Sequence, residues 1–221
     1  MEIVESRLYT RTMKISKHVH SCLLVEEKGK IVLVDPGNYS YDAKALDIPS
    51  LSSLDAIAIT HEHMDHIYLP FLKEILAKFP NTPIYTNESV KKLLEKENIE
   101  NAMTEGNEYI TLHSVPHEKI WFGTPVENSM ITLFKKFATV GDSLSFTESP
   151  DILALPVTAP WGSTTAAVEV ALQVKPKVIF PIHDFMWKDD VRMGIYQRLK
   201  DFFGQHGIDF KAVETGEVVE I

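Results

Sequence analysis

Cysteine is almost absent from this chain of 221 residues, because Cys22 is the only one. A single cysteine cannot form an intramolecular disulfide, and the apolar neighbours of Cys22 indicate a buried strand position. We therefore expect a protein of a reducing compartment, the cytoplasm. Residues 1–7 carry acids early and contain no apolar stretch of signal-peptide length, which agrees with that expectation.

Long apolar runs and an excess of basic residues are also missing. No run approaches the ~20 apolar residues that a membrane-spanning helix requires, so we expect no membrane association. The 31 acidic and 22 basic residues give a formal net charge of -9, and this excess of negative charge argues against binding to the phosphate backbone of a long nucleic acid. These absences favour a small-molecule substrate, with phosphorylated metabolites still compatible, and they leave the oligomeric state open.

The chain further lacks repeats, low-complexity segments and linker-like stretches rich in proline, glycine or serine. With 44% hydrophobic residues, a chain of this length can bury one substantial core. We therefore expect a single domain over residues 1–221.

Apolar patterning predicts strands and helices in alternation along most of the chain. Strands are expected at 21–26, 31–34, 54–60, 83–86, 152–155 and 177–182, and helices at 69–79, 90–98, 164–174 and 191–202. A second, largely antiparallel set of short strands is expected between 108 and 146, and a final hairpin is expected from strands at 209–213 and 217–221. Two sheet segments with helices outside them indicate a layered α/β sandwich.

The most concentrated chemistry follows the predicted strand at 54–60. Residues 60–66 read Thr-His-Glu-His-Met-Asp-His, which brings three imidazoles and two carboxylates together. These groups are ligands that suit zinc, iron and manganese, and a strand end is a rigid support for them. The heptapeptide therefore predicts a metal site, with a solvated surface loop as the alternative.

Three further candidate ligands, His117, Asp142 and His183, each follow a predicted strand. If these strands lie side by side, their ends face one edge of the sandwich, where a crevice is the usual site for chemistry. His113 lies in the same strand region as His117, and His117 is preferred because it falls at the strand end. Asp142 follows Gly141, and such a pair on its own usually begins a turn.

The spacing of these residues resembles the metallo-β-lactamase fold superfamily over nearly the whole chain. The resemblance rests on His61-x-His63-x-Asp65-His66, followed by His117, Gly141-Asp142 and His183. Asp35-Pro36-Gly37 resembles the early aspartate motif of that superfamily, which mainly orders the site from behind the ligands. The segment Phe180-Pro181-Ile182-His183 resembles the corresponding segment in the branch of the superfamily that contains L-ascorbate-6-phosphate lactonase. The resemblance implies an α/β fold, a four-layer αββα sandwich.

The resemblance also implies a dinuclear metal centre. One metal would be held by His61, His63 and His117, and a second by Asp65, His66 and His183, with Asp142 as the bridge between them. The expected cofactors are two divalent metal ions, with zinc as the first choice and manganese or iron as alternatives. A hydroxide held by such a pair would be the nucleophile, and Asp65 would be the catalytic residue that orients the attacking water.

The predicted function is a metal-dependent hydrolase that acts on a small polar substrate, namely a lactone, ester, amide or phosphodiester. An iron-dependent oxidoreductase on the same fold and a metal-bound sensor without catalytic activity are the alternatives. Substrate choice is expected to depend on the loops at 118–129 and 159–165, which contain few basic residues apart from Lys119.

The remaining polar and aromatic residues near the motifs receive no role in binding metal. Four of them are expected to be surface or structural residues: His18, His20, Glu62 and His206. Three aromatic residues are expected to form either an apolar wall beside the metals or part of the core, with equal odds: Trp121, Phe122 and Trp161.

Overall fold

Two β-sheets packed face to face form the centre of the computed structural model, which describes residues 12–121 and 123–221. Two of the sequence expectations, those on residues 1–7 and on Phe122, lie outside the described residues. Within the described residues, no helix combines the length and the apolar character that a membrane span requires.

The strands of the two sheets differ in length from two to seven residues. They are β1 (Lys14–Lys17), β2 (Leu23–Glu27), β3 (Lys30–Val34), β4 (Ala56–Ala58), β5 (Ile84–Tyr85), β6 (Ala102–Met103), β7 (Ile110–Pro116), β8 (Glu127–Leu133), β9 (Phe137–Thr139), β10 (Ile152–Pro156), β11 (Val178–Ile182), β12 (Asp209–Phe210) and β13 (Val218–Glu220). The first sheet has the order β13-β1-β2-β3-β4-β5-β6, and the second has the order β12-β11-β10-β9-β8-β7.

The helices lie on the outer faces of the two sheets. They are α1 (Asn38–Asp42), α2 (Leu69–Lys78), α3 (Glu88–Lys96), α4 (Thr164–Val174) and α5 (Asp189–Gln205), with a 3₁₀ turn at Ile48–Ser50. Helix α3 begins at Glu88, two residues before the expected range of 90–98, because the side chain of Asn87 caps it by accepting a hydrogen bond from the Val90 N–H at 3.1 Å. Helix α2 buries Phe71, Leu72 and Ile75 against the first sheet.

Three hydrophobic clusters separate four layers. The central cluster joins the facing surfaces of the two sheets through residues such as Val34, Ala58, Phe137 and Phe180. A second cluster packs α4 and α5 on the second sheet, and a third packs α2 and α3 on the first sheet. The predicted four-layer αββα sandwich is therefore confirmed.

Strand direction brings the ends of several strands to one edge of the sandwich. In the first sheet β1 and β3 are both antiparallel to β2, and β3 is parallel to β4, so β1, β3 and β4 run the same way. In the second sheet β7 and β9 are both antiparallel to β8, and β9, β10 and β11 are parallel. The segments that follow these strands contain most of the predicted metal ligands.

One prediction about strands is wrong, and the short strands β1 and β6 were not predicted. The segments at 209–213 and 217–221 do not form a hairpin, because β12 pairs with β11 in the second sheet and β13 pairs with β1 in the first. Strand β1 was not predicted, since Lys-Ile-Ser-Lys is short and carries a charge at each end. The antiparallel set expected between 108 and 146 is present as β7, β8 and β9.

A buried ion pair joins the two sheets behind the shared edge. The Lys17 ammonium at the end of β1 lies 2.7 Å from a carboxylate oxygen of Asp184, and both side chains are 3% exposed. Lys17 also donates to the carbonyl oxygen of Pro181 at 3.0 Å, and the Tyr196 hydroxyl donates to Asp184. These contacts fix the chain on both sides of His183.

We predict that Lys17→Met lowers the free energy of unfolding by about 3 kcal/mol or more, because it leaves the Asp184 carboxylate buried without its cation. Lys14→Met is the matched control on the same strand, since the Lys14–Glu220 pair is exposed and 3.7 Å long and should contribute less than about 1 kcal/mol. Urea denaturation of the metal-free proteins measures both. Equal effects of the two substitutions would contradict this assignment.

Candidate metal centre

The first group of candidate ligands gathers three imidazoles and one carboxylate. One ligand atom from each of His61, His63, His117 and Asp142 lies within 4.8 Å of all the others. His63 Nδ1 is 3.1 Å from His117 Nε2, which is 3.5 Å from Asp142 Oδ2. His61 Nε2 is 3.9 Å from the same oxygen. Ligand atoms around one tetrahedral zinc ion lie roughly 3.3 Å apart, so this group has the right size.

The second group consists of His20, Asp65, His66 and His183, whose ligand atoms also lie within 4.8 Å of one another. His66 Nε2 and His183 Nε2 are 3.0 Å apart. Two imidazole nitrogens at this distance present lone pairs to each other unless a cation or proton lies between them. The second group therefore also fits a cation.

Asp142 lies between the two groups. Its Oδ2 faces His61 and His117, whereas its Oδ1 is 2.8 Å from His183 Nε2 and 3.1 Å from His66 Nε2. The side chain is 4% exposed, and the Trp161 indole N–H donates to Oδ2 at 2.6 Å. One carboxylate is thus positioned to contribute an oxygen to each group.

Gly141 sets the position of Asp142 at the end of β9. Its φ of +55° favours glycine, and an added Cβ would lie 2.2 Å from Asn128 Oδ1. Asn128 also donates to the carbonyl oxygen of Val140 at 3.0 Å. The Gly141-Asp142 pair is therefore a packed connection rather than a solvent-exposed turn.

Asp35 orients two of the histidines from behind. Its carboxylate accepts hydrogen bonds from the Thr60 N–H at 2.8 Å, the Thr60 hydroxyl at 2.9 Å and His66 Nδ1 at 2.8 Å. The Thr60 hydroxyl donates its only proton to Asp35, so it accepts from His61 Nδ1 at 3.1 Å. Both rings consequently present Nε2 to the ligand groups, as expected for histidines that bind metal. This agrees with the ordering role that the sequence suggested for Asp35.

Close backbone packing holds the loop that contains Asp65. A Cβ on Gly37 would lie 1.9 Å from the carbonyl oxygen of Asp65, so only glycine fits there. The Asn38 N–H donates to the carbonyl oxygen of Met64 at 3.0 Å, and the Tyr68 N–H donates to that of Pro36 at 3.0 Å. The segment after β3 and the heptapeptide after β4 therefore form one packed unit.

Three residues of this region have left-handed backbone conformations, namely His20 (φ 57°), Asp35 (φ 43°) and His183 (φ 66°). For residues other than glycine this costs roughly 1–3 kcal/mol each and persists only where the surrounding structure enforces it. Seven further non-glycine residues among those described also have positive φ, so these conformations show that packing holds the three residues in place and do not by themselves mark a site.

The electrostatics of the two groups favour ionised carboxylates and a neutral His61, and they favour a proton on His66 that a bound cation would replace. Burial lowers the pKa of His61 well below its usual value, and the neighbouring His66 lowers it further. Burial alone would raise the pKa of Asp142, but His183 and His66 hold it well below its usual range. Burial alone would lower the pKa of His66, but Asp35 and Asp142 raise it well above its usual value. The cluster thus combines an ionised Asp142 with a neutral His61 and with a His66 whose positive charge is stabilised by two carboxylates.

Two buried ligand atoms lack hydrogen bonds. His61 Nε2 and Asp142 Oδ1 are inaccessible to solvent and have no hydrogen-bond partner of suitable geometry. Leaving such atoms unsatisfied costs roughly 1–3 kcal/mol each, and more for a charged group. Both point into the ligand groups, so divalent cations there would satisfy them. The residues present therefore fit two metal ions.

A cavity of about 250 Å³ opens above the two groups. The candidate ligands His63, Asp65, Asp142 and His183 form its floor. Its walls include Tyr39, Met64, Ile120, Thr158, Ala159, Pro160, Trp161 and Met186. Small molecules can therefore reach both ligand groups from one side.

All seven ligands predicted from the sequence lie in one or other group. His113 is exposed, whereas His117 is buried within the first group, in line with the preference for His117. Three residues given structural or surface roles, His18, Glu62 and His206, lie outside both groups. Trp161 lines the cavity, whereas Trp121 is 84% exposed.

Sequence reasoning missed His20. Its Nε2 lies 3.1 Å from Asp65 Oδ2, and its ring packs on that of His183 with centroids 4.0 Å apart. Burial, followed by the nearby His183, lowers the pKa of His20 to about 4, so the ring is neutral near pH 7. Since the Asp65 carboxylate only accepts, His20 Nε2 donates. The signal that could have found His20 is its place after β1, which ends at the same edge as β3 and β4.

Comparison with known proteins agrees with this geometry. Residues 14–183 match the family model described as the β-lactamase superfamily domain. The chain belongs to this superfamily. A protein of Mycobacterium tuberculosis, Rv0786c, is 30% identical over 206 residues, which cover 86% of this chain and 92% of that protein.

Two further proteins are similar to this chain. A UPF0173 metal-dependent hydrolase of Bacillus thuringiensis is 43% identical over 58 residues, which cover 25% of this chain and 24% of that protein. The structure of Igni18, a metallo hydrolase of Ignicoccus hospitalis, shares the fold with a TM-score of 0.67 and 18% identity, covering 95% of this chain and 98% of Igni18. The predicted metallo-β-lactamase fold is confirmed, and the predicted enzyme class agrees with the names of these relatives.

We predict that His20→Leu weakens metal binding at the second group by roughly 10- to 100-fold, because the hydrogen bond that orients Asp65 is lost. His20→Gln retains an N–H donor at a similar distance and should retain more of the affinity. Isothermal titration calorimetry of the metal-free proteins with zinc measures the zinc affinity of both variants. Equal weakening by Leu and Gln would contradict the orienting role and favour His20 as a direct ligand.

Proposed function

We propose that this protein is a hydrolase that uses two divalent metal ions to cleave a lactone, ester, amide or phosphodiester bond in a small molecule. The observation that carries the proposal is the placement of Asp142, whose two carboxylate oxygens face two separate groups of imidazoles and carboxylates. Metal pairs that share one bridging ligand are typical of hydrolytic sites.

The proposed ligands divide between the two sides of Asp142. His61, His63 and His117 hold one ion, and Asp65, His66 and His183 hold the other. Zinc is the first choice because imidazole nitrogens dominate both groups, and manganese and iron are the alternatives. The cavity above the groups supports a catalytic role, since a structural site would be closed to substrates.

When bound, the two ions would lower the pKa of a water molecule toward about 7 and polarise the oxygen of the bond to be cleaved. The chain supplies the positioning. Asp65 and Asp142 both line the cavity, but Asp65 is 27% exposed and Asp142 only 4%, so Asp65 is the carboxylate more accessible to a water in the cavity. We assign Asp65 to orient this water by accepting a hydrogen bond from it, with His20 holding the carboxylate in place.

A cysteine nucleophile is not part of this proposal. Cys22 is 1% exposed, and burial raises the pKa of its thiol to about 12. A buried, protonated thiol is inert toward substrates. Water is therefore the proposed nucleophile.

The test combines elemental analysis with hydrolysis assays on the wild type and on two single variants. We expect two zinc or manganese ions per wild-type chain and turnover of at least one substrate in an ester, lactone and phosphodiester panel. His117→Ala should lose metal from the first group, and kcat/KM should fall by roughly 10²- to 10³-fold or more. His113→Ala is the matched control from the same strand and should keep both ions and full activity.

Three outcomes would contradict the proposal. Loss of metal in His113→Ala but not in His117→Ala would overturn the ligand assignment. One iron per chain, with oxygen uptake and no hydrolysis, would favour the iron-dependent oxidoreductase. Two ions per chain without turnover of any substrate in the panel would favour a sensor.

A further inference from the structure

We propose that the cavity above the two ligand groups takes an uncharged carboxylic ester or lactone with an apolar acyl group, rather than a phosphorylated or otherwise anionic substrate. This inference rests on the proposed hydrolytic function and specifies its substrate class. It depends on the walls of the cavity, which are independent of the ligands on its floor.

The walls of the cavity are mostly apolar, with Asn38 and Thr158 as polar members, and the only carboxylates among the described lining residues are Asp65 and Asp142 on the floor. Aromatic and aliphatic side chains dominate them, including Tyr39, Ile120, Pro160 and Trp161. Among the described residues that line the cavity, none is lysine or arginine. Recognition of a phosphate or carboxylate group ordinarily uses arginine or lysine side chains. A negative charge held against these walls would lose its water without gaining a partner, which is costly.

Two basic groups near the site are committed to other contacts, and Lys119 and Lys188, which lie close in sequence to Ile120 and Met186, do not line the cavity. Lys17 and Arg192 line a neighbouring cavity that shares only His20 with the first among the described residues. Lys17 forms the buried pair with Asp184 at 2.7 Å, and Arg192 pairs with Glu214 at 2.8 Å. Neither cation is available to neutralise an anionic substrate above the ligand groups.

The mouth of the cavity continues the apolar surface. Met64 is 59% exposed and Met186 is 66% exposed, and both line the cavity. Phe185 lines the neighbouring cavity, is 43% exposed and stacks on the wall residue Tyr39 with ring centroids 4.2 Å apart. Single exposed apolar residues are common, but several around one opening mark a binding surface. Methionine side chains adapt to varied apolar partners, so the mouth can accept an acyl chain that extends out of the cavity.

The test uses the zinc-loaded full chain and two series of p-nitrophenyl substrates. In the first series the acyl group lengthens from acetate to butyrate and hexanoate. We expect kcat/KM to rise roughly fourfold for each methylene that becomes buried, until the mouth is filled. In the second series pentanoate is compared with hydrogen glutarate, which has the same length but ends in a carboxylate, and with bis(p-nitrophenyl) phosphate. We expect the neutral ester to be preferred by at least roughly tenfold.

A charge introduced at the mouth should reverse this preference. Met186→Lys is expected to raise kcat/KM for the glutarate ester relative to the pentanoate ester by roughly tenfold. Met193→Lys is the matched control, because this substitution adds the same charge away from the lining of the cavity. Met193 lies on α5 and is 45% exposed. The control should leave the ratio unchanged.

A binding measurement separates this inference from the proposed function. Calorimetry with hexanamide and with adipic acid monoamide, which differ only in the terminal carboxylate, should show tighter binding of hexanamide. Tighter binding and faster turnover of the charged partners would overturn the inference while leaving a hydrolase in place. Preferred binding of hexanamide without turnover of any ester would support the inference on the cavity and overturn the hydrolytic function.

Discussion

The carboxylate of Asp142 is a buried negative charge surrounded by imidazoles from both sheets. It follows β9 of the second sheet, whereas His61 and His66 follow β4 of the first, so the charge and its partners meet only when the two sheets pack together. Such a charge is costly to bury unless its oxygens gain partners. His66 and His183 hold its pKa low, and the Trp161 indole donates to one oxygen. The remaining ligand positions on both sides of Asp142 are arranged around this one group.

The contacts behind the ligands explain how loops at the strand ends hold such an arrangement. Asp35 and Thr60 fix the ring orientations of His61 and His66, and the close contact of Gly37 with the backbone of Asp65 fixes the heptapeptide. The buried Lys17–Asp184 pair secures the segment of His183. Each of these contacts lies outside the cavity, so the cavity walls are free to determine which substrate is accepted.

The sequence predicted the parts of the structure that depend on local pattern. Helix α4 has the predicted bounds, and α2 ends before Pro80, because apolar periodicity and capping residues specify these elements directly. The candidate metal ligands were predictable because they are histidines and aspartates in segments that follow predicted strands. The terminal hairpin was predicted wrongly, since β12 and β13 pair with strands in different sheets. Such pairings join residues far apart in sequence, and local pattern does not specify them. His20 was missed for the same reason, because its location depends on the pairing of the four-residue strand β1.

The measurement that tests the central claim most directly is anomalous diffraction from crystals of the zinc-loaded protein, recorded above and below the zinc absorption edge. The account predicts two zinc peaks roughly 3.5–4 Å apart, with one oxygen of Asp142 bound to each. A single peak, or two peaks to which Asp142 does not contribute, would contradict the bridged pair of metal sites.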